Sequence, residues 1–169
     1  MKKEHLLILS MIVLGVASRL LPHPPNFAPI TGIALFAASK LNKKIVAFIV
    51  PLFCLFITDL ILGISWINLF VYTAFGMISL IGMYKKVSVP IVLGSSLLFF
   101  VVSNFGVWLL AYPLTIEGLL TCFTLAIPFF WNTLAGDLVY TAVLFYSFST
   151  IKKTYLNERI TFDTNEKTS

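Results

Sequence analysis

Apolar residues gather along this chain in six runs, 6–21, 27–41, 45–63, 66–84, 87–112 and 131–151, each closed by a proline, a glycine or a cluster of lysines. None alternates with the period of two that a membrane β-barrel strand shows, and each is too long for a strand. In hydrocarbon every backbone N–H and C=O must find a partner inside the protein, which makes runs of this kind helices. The pattern predicts an all-α membrane protein: a six-helix transmembrane bundle with a short second helix. Residues 1–153 form a single transmembrane domain, and 154–169, polar and without hydrophobic periodicity, form a cytoplasmic tail.

Between the fifth and sixth runs lies TIEGLLTCFTLAIPFF, interrupted by Pro128 and too short for a confident crossing. We read 116–130 as an extra half-helix or lid on the outer side. The lysine pairs Lys2/Lys3, Lys43/Lys44, Lys85/Lys86 and Lys152/Lys153 mark the ends that stay in the cytoplasm. All of them face the cytoplasm when the chain crosses six times with both termini inside. The opening MKKEHLLILSMIVLGVAS also resembles a signal peptide, but its removal would leave an odd number of crossings.

Composition agrees with this reading: 59% of residues are hydrophobic and 11% charged, which excludes an ordinary water-soluble domain. The net charge of +5 sits in the lysine pairs beside apolar runs and follows from topology rather than from nucleic-acid binding. Cys54 and Cys122 lie in apolar surroundings, without CxxC spacing or neighbouring histidines, and read as packing residues. The sequence has no GxxxxGKS/T loop, HExxH or GxSxG, so no nucleotide, metal or cofactor is expected on the chain itself.

The polar residues inside the apolar runs carry more information than the runs. Counting about 1.5 Å per residue from the cytoplasmic lysines, Arg19, Asn26, Asp59, Asn104 and Asp137 all fall at about 21–27 Å. Five helices therefore bring a polar group to one level in the outer half of a hydrocarbon core about 30 Å thick. An intramembrane charge costs about 3 kcal/mol on insertion scales, so these groups should face the bundle interior, Arg19 pairing with Asp59 or Asp137. They read either as a structural lock, with Asn26, Asn104 and Asn132 as interhelical glue, or as the lining of an outward-facing ligand cavity.

His23 lies in the same stretch as four prolines, Pro22, Pro24, Pro25 and Pro29, which break the backbone at membrane depth. Such a break is tolerated where protein or a water-filled cavity surrounds it. Trp66, Trp108 and Trp131 fall toward the outer side. They form either an interfacial aromatic belt or, with Phe105, Tyr112, Phe129 and Phe130, walls of a pocket. Gly32, Ala34, Ala37, Ala38 and Ser39 make the second helix thin, for internal packing or for docking of a separate membrane subunit.

The ordered series PHPPNFAPITGIALF, PLFCLFITDLILG, VYTAFGMISLIG, FFVVSNFGVWLLAYPLTIEGL and AIPFFWNTLAGDLVYT resembles a family of small bacterial membrane proteins of unassigned function, over Arg19 to Tyr140. More distantly, the topology and the DLILG that ends a helix resemble the substrate-binding S components of energy-coupling factor vitamin transporters. That likeness implies a vitamin or similar nutrient held near the outer face of the bacterial inner membrane, under the loop between helices 1 and 2. It also implies a transmembrane coupling subunit with ATPases as partner, with Ala34 and Ala38 as the docking pair.

The leading expectation is thus a membrane-embedded substrate-binding subunit without chemistry of its own. Its ligand-binding residues would be Arg19, His23, Asn26, Asp59, Asn104, Trp108, Asn132 and Asp137. One rival is a structural or assembly protein whose polar layer locks the bundle. The other is a membrane enzyme using His23 with Asp59 or Asp137 as acid and base.

Overall fold

In the computed structural model the backbone is described for residues 3–166 and the side chains for 6–153. Among the described residues the chain has six helices and no strand: α1 Lys3–Leu20, α2 Ile30–Lys40, α3 Lys44–Leu62, α4 Ile67–Tyr84, α5 Val89–Ala111 and α6 Ile116–Glu166. The last four contain stretches long and apolar enough to cross a membrane, Lys44–Leu62, Ile67–Tyr84, Val89–Ala111 and Ile116–Lys153, while α1 and α2 are shorter apolar helices.

The short helix α2 is the hub. It touches α1, α3, α4, α5 and α6, and its residues from Ile30 to Ala37 are consecutively buried. A helix apolar on every side is stable only when surrounded, and small residues let the neighbours close in. A Cβ on Gly82 of α4 would lie 2.8 Å from Ala38 Cβ, and one on Gly32 would lie 3.1 Å from the backbone N of Thr141 on α6. Of the two residues read as a docking pair, Ala34 is fully buried among helices of the same chain and Ala38 is half-buried.

Two apolar clusters make up the core. Ile30, Ala34, Leu35, Cys54, Leu55, Phe75, Ile78 and Val92 join α2 to α3, α4 and α5, while Met11, Ile33, Phe36, Ala37, Leu41, Ala47 and Val50 join it to α1 and α3. Both cysteines are buried as free thiols. Outside the core, large apolar side chains such as Ile45, Leu60, Leu97 and Leu125 are exposed on α3, α5 and α6.

The lysine-bearing helix ends gather at one end of the bundle. Lys40 Nζ lies 5.4 Å and 5.6 Å from the ring centroids of Phe145 and Phe148 on α6, and Lys44 Nζ lies 5.3 Å from that of Tyr84 at the end of α4. These cation–π contacts bring the α2–α3 junction beside the segments that lead to Lys85/Lys86 and Lys152/Lys153. Lys2 lies outside the described residues.

One expectation is corrected. The separate half-helix over 116–130 and the crossing over 131–151 are one continuous helix, α6, with Pro128 inside it. An internal proline removes one hydrogen bond and bends a helix without having to end it, particularly where neighbouring helices hold both sides. The same helix runs on to Glu166, through the polar segment that begins at residue 154.

Candidate polar chambers

The opening between α1 and α2 is organised by a tight turn. The Phe27 N–H donates to the Pro24 carbonyl at 3.0 Å, and Asn26 has φ +64°. Proline in the second position and a left-handed residue in the third is the type II pattern, for which asparagine is among the few tolerant side chains. PPNF thus encodes a stiff rim. His23 and Asn26 are exposed on this rim, and the His23 ring places Nδ1 2.7 Å from the Leu21 carbonyl. Close packing seats the rim on α6, where a Cβ on Gly136 would lie 3.2 Å from Phe27 Cα.

Beside the rim, Asp59 collects three side chains. Arg19 Nη2 donates to Oδ1 at 2.6 Å, and Asn68 Nδ2 and the Tyr72 hydroxyl each donate to Oδ2 at 2.7 Å. Asn68 is itself held by the Ser65 hydroxyl at 2.9 Å. The local sequence explains the convergence. Gly63, at φ +113°, ends α3 one turn past Asp59, and the chain re-enters as α4, where Asn68 and Tyr72, four apart, share a face. Asp59 is 3% exposed, and its charge is matched by a cation and two neutral donors.

Asp137 is as deeply buried, at 1% exposure, but its company differs. The Ser96 hydroxyl donates to its Oδ2 at 2.6 Å, and the Thr31 hydroxyl is a second hydrogen-bond partner. Among the described residues no Arg, Lys or His nitrogen lies within ion-pair distance of it, the single such pair being Arg19 with Asp59. Asp137 faces a cavity of about 210 Å³ whose other polar lining is Arg19, His23, Asn26, Thr31 and Thr133. Leu55, Val71, Phe75 and Phe99 supply much of the apolar wall.

A second cavity of about 180 Å³ adjoins the first, with Asn26, Val71, Phe99 and Thr133 common to both. Its walls are aromatic, from Phe99, Phe100, Phe129 and Phe130, with Ser103 and Asn104 as polar groups. The path of α6 explains the hollow. Ser96 and Asn104 of α5 are eight residues apart, a rise of ~12 Å. Their partners on α6, Asp137 and Cys122, are fifteen apart, ~22 Å along a helix. The two strips differ in length, so α6 does not run in register along α5, and the Phe100 ring meets those of Phe123 and Phe130 at 5.6 Å and 4.9 Å within the interval. Pro128 lies in that interval, beside the Phe129 and Phe130 that face the space.

Arg19, His23, Asn26, Asn104 and Asp137 therefore line one or both cavities, and Asp59 stands behind Arg19. Asn104 donates its amide to the Phe100 carbonyl at 2.8 Å. Trp108 and Asn132 line neither cavity. The Trp108 indole instead donates to the Pro113 carbonyl at 3.1 Å and pins the turn between α5 and α6. Trp66 and Trp131 are 75% and 62% exposed, the position of a belt rather than of a pocket wall.

Sequence reasoning missed Asn68 and Tyr72, although the depth count that selected the other polar groups would have found Asn68 at about 26 Å from Lys85. Thr31, Ser96 and Thr133 offered no comparable signal, because serine and threonine are common in apolar helices, where the hydroxyl can bond its own backbone.

Against known proteins, a family model described as a family of unknown function, DUF6580, matches residues 1–160. No curated protein and no solved structure matches the chain.

Proposed function

The chain belongs to this family of unknown function, and from that premise we propose that it is a membrane-embedded binding subunit that captures a small organic nutrient for uptake. The observation that carries the reading is the pair of adjoining cavities under a stiff rim, about 210 Å³ and 180 Å³, with a buried carboxylate at one end and aromatic walls at the other. Ligand sites are mostly apolar hollows with a few convergent polar groups, whereas a purely structural polar layer closes on itself. Membrane embedding is supported by the four long apolar helices and by the apolar side chains on their outer faces.

In its finer form the proposal places the protein in a bacterial inner membrane with the lysine-bearing end and both termini cytoplasmic. It would work as energy-coupling factor S components do, with a vitamin-like ligand, a transmembrane coupling subunit and ATPases outside this chain. A turn that is already rigid loses little entropy on closing over a ligand, which favours capture at low concentration. One observation favours a second, structural role for part of the layer: the Asp59 cluster is internally satisfied and acts as a lock.

The test is mass spectrometry of small molecules released from gently purified protein, repeated with Asn104→Ala. The expected result is a retained compound whose occupancy falls in the variant while folded yield is unchanged, because the lost amide bond lies within one helix turn. Empty preparations from several growth media, with reduced yield of the variant, would support the structural role alone.

A further inference from the structure

Resting on the binding reading, we infer that the ligand is an organic cation, an amine with an apolar or aromatic body, whose ammonium sits on Asp137 and whose body fills the aromatic lobe. The first cavity has two anionic neighbours and one permanent cation. Arg19 spends its charge on Asp59 at 2.6 Å, and that carboxylate is completed by Asn68 and Tyr72. Asp137 keeps only neutral donors, from Ser96 and Thr31, on a group that offers about four acceptor positions.

Its other support is a helix end. Thr31 is the second residue of α2, whose cap, Pro29, provides no side-chain hydrogen bond. The amide end of a helix favours a carboxylate but supplies no counter-ion to it. His23 lines the same cavity but is exposed on the rim and makes no ion pair with Asp137. An ammonium ion is the complement that this end of the cavity lacks. Buried charge is tolerated when paired and hydrogen-bonded, and an ammonium has three donors for the open acceptor positions.

The second lobe fits the rest of such a molecule. Phe99 belongs to both cavities, and the Phe100 and Phe130 rings lie 4.9 Å apart at an interplanar angle of 51°. The faces of such rings attract a cation on the way in and pack an apolar body once it is seated. A carboxylate ligand would instead have to draw Arg19 away from Asp59, leaving that buried group with neutral donors only.

The experiment is isothermal titration of the purified full chain in detergent with three probes of similar shape: phenethylammonium, the neutral phenethyl alcohol and the anionic hydrocinnamate. The amine should bind at least tenfold more tightly than the alcohol, and hydrocinnamate should give no heat. In folded Asp137→Asn the amine should lose at least tenfold in affinity and bind no more tightly than the alcohol. Equal binding of amine and alcohol, or preference for hydrocinnamate, overturns the cation assignment and leaves the binding reading standing. If no probe binds, the compound identified by mass spectrometry decides. A retained amine upholds the inference, a retained acid or neutral compound overturns it, and an empty protein overturns the binding reading with it.

Discussion

Asp59 and Asp137 are both buried acids at the same end of the bundle, yet their surroundings assign them different work. Asp59 is saturated by Arg19, Asn68 and Tyr72, contributed by α1 and α4, and ties those helices to α3. Asp137 meets only hydroxyls from α2 and α5 and opens onto a cavity. The first arrangement has spent its electrostatics within the protein, whereas the second has kept some in reserve. Depth along the bundle alone does not distinguish a closed polar cluster from one that faces a cavity; the completeness of the partner set does.

The sharpest way to break this contrast is Asp59→Ala. It strands the Arg19 guanidinium and leaves Asn68 and Tyr72 without their shared acceptor, and it should cost about 3–5 kcal/mol, as removal of one member of a buried pair does. Thermal unfolding in detergent would show it as a large drop in melting temperature. A cost no greater than that of Asp137→Asn would erase the distinction between the two acids. Tyr72→Phe tests the same cluster more gently. It removes one of three donors at unchanged shape and should cost about 1 kcal/mol in the same assay, with ligand retention intact.

The smallest expected change in stability belongs to the other side of the comparison. In Gly136→Ala the gain in helix propensity, about 1 kcal/mol, opposes the 3.2 Å approach of the new Cβ to Phe27 Cα. The melting temperature should barely move. Retention of the bound compound should fall, because the rim is displaced next to Asp137, and unchanged retention would separate the rim from the site.

Much of the fold was legible because helices in an apolar setting announce themselves by run length, and the first five elements begin and end within a few residues of the punctuation that predicts them. The Arg19–Asp59 pair was legible as one of two options, since charges at a common depth must find each other. What chose between the options was Gly63, which turns the chain so that Asn68 and Tyr72 return to Asp59. That is a tertiary consequence of one backbone conformation.

The continuity of α6 was illegible for a different reason. A proline in a run of marginal length reads as a break, and only packing against α5 decides whether the helix resumes. The aromatic lobe follows from that packing as well. Phe99 and Phe100 look like any apolar pair in sequence, and only the placing of α6 makes them walls of a cavity with Phe129 and Phe130.

The eleven residues of α2 rise only ~16 Å, so the central column of the bundle is filled for about half the thickness of a bilayer core. The molecule is in effect a cup, with α2 as its base and residues 21–29 as its brim. Base and brim are made from adjacent stretches of chain, but they answer to different demands, one to close packing and the other to passage. The brim could therefore be exchanged for one of different length or stiffness, changing how fast the cup fills and empties while the base goes on holding the vessel together.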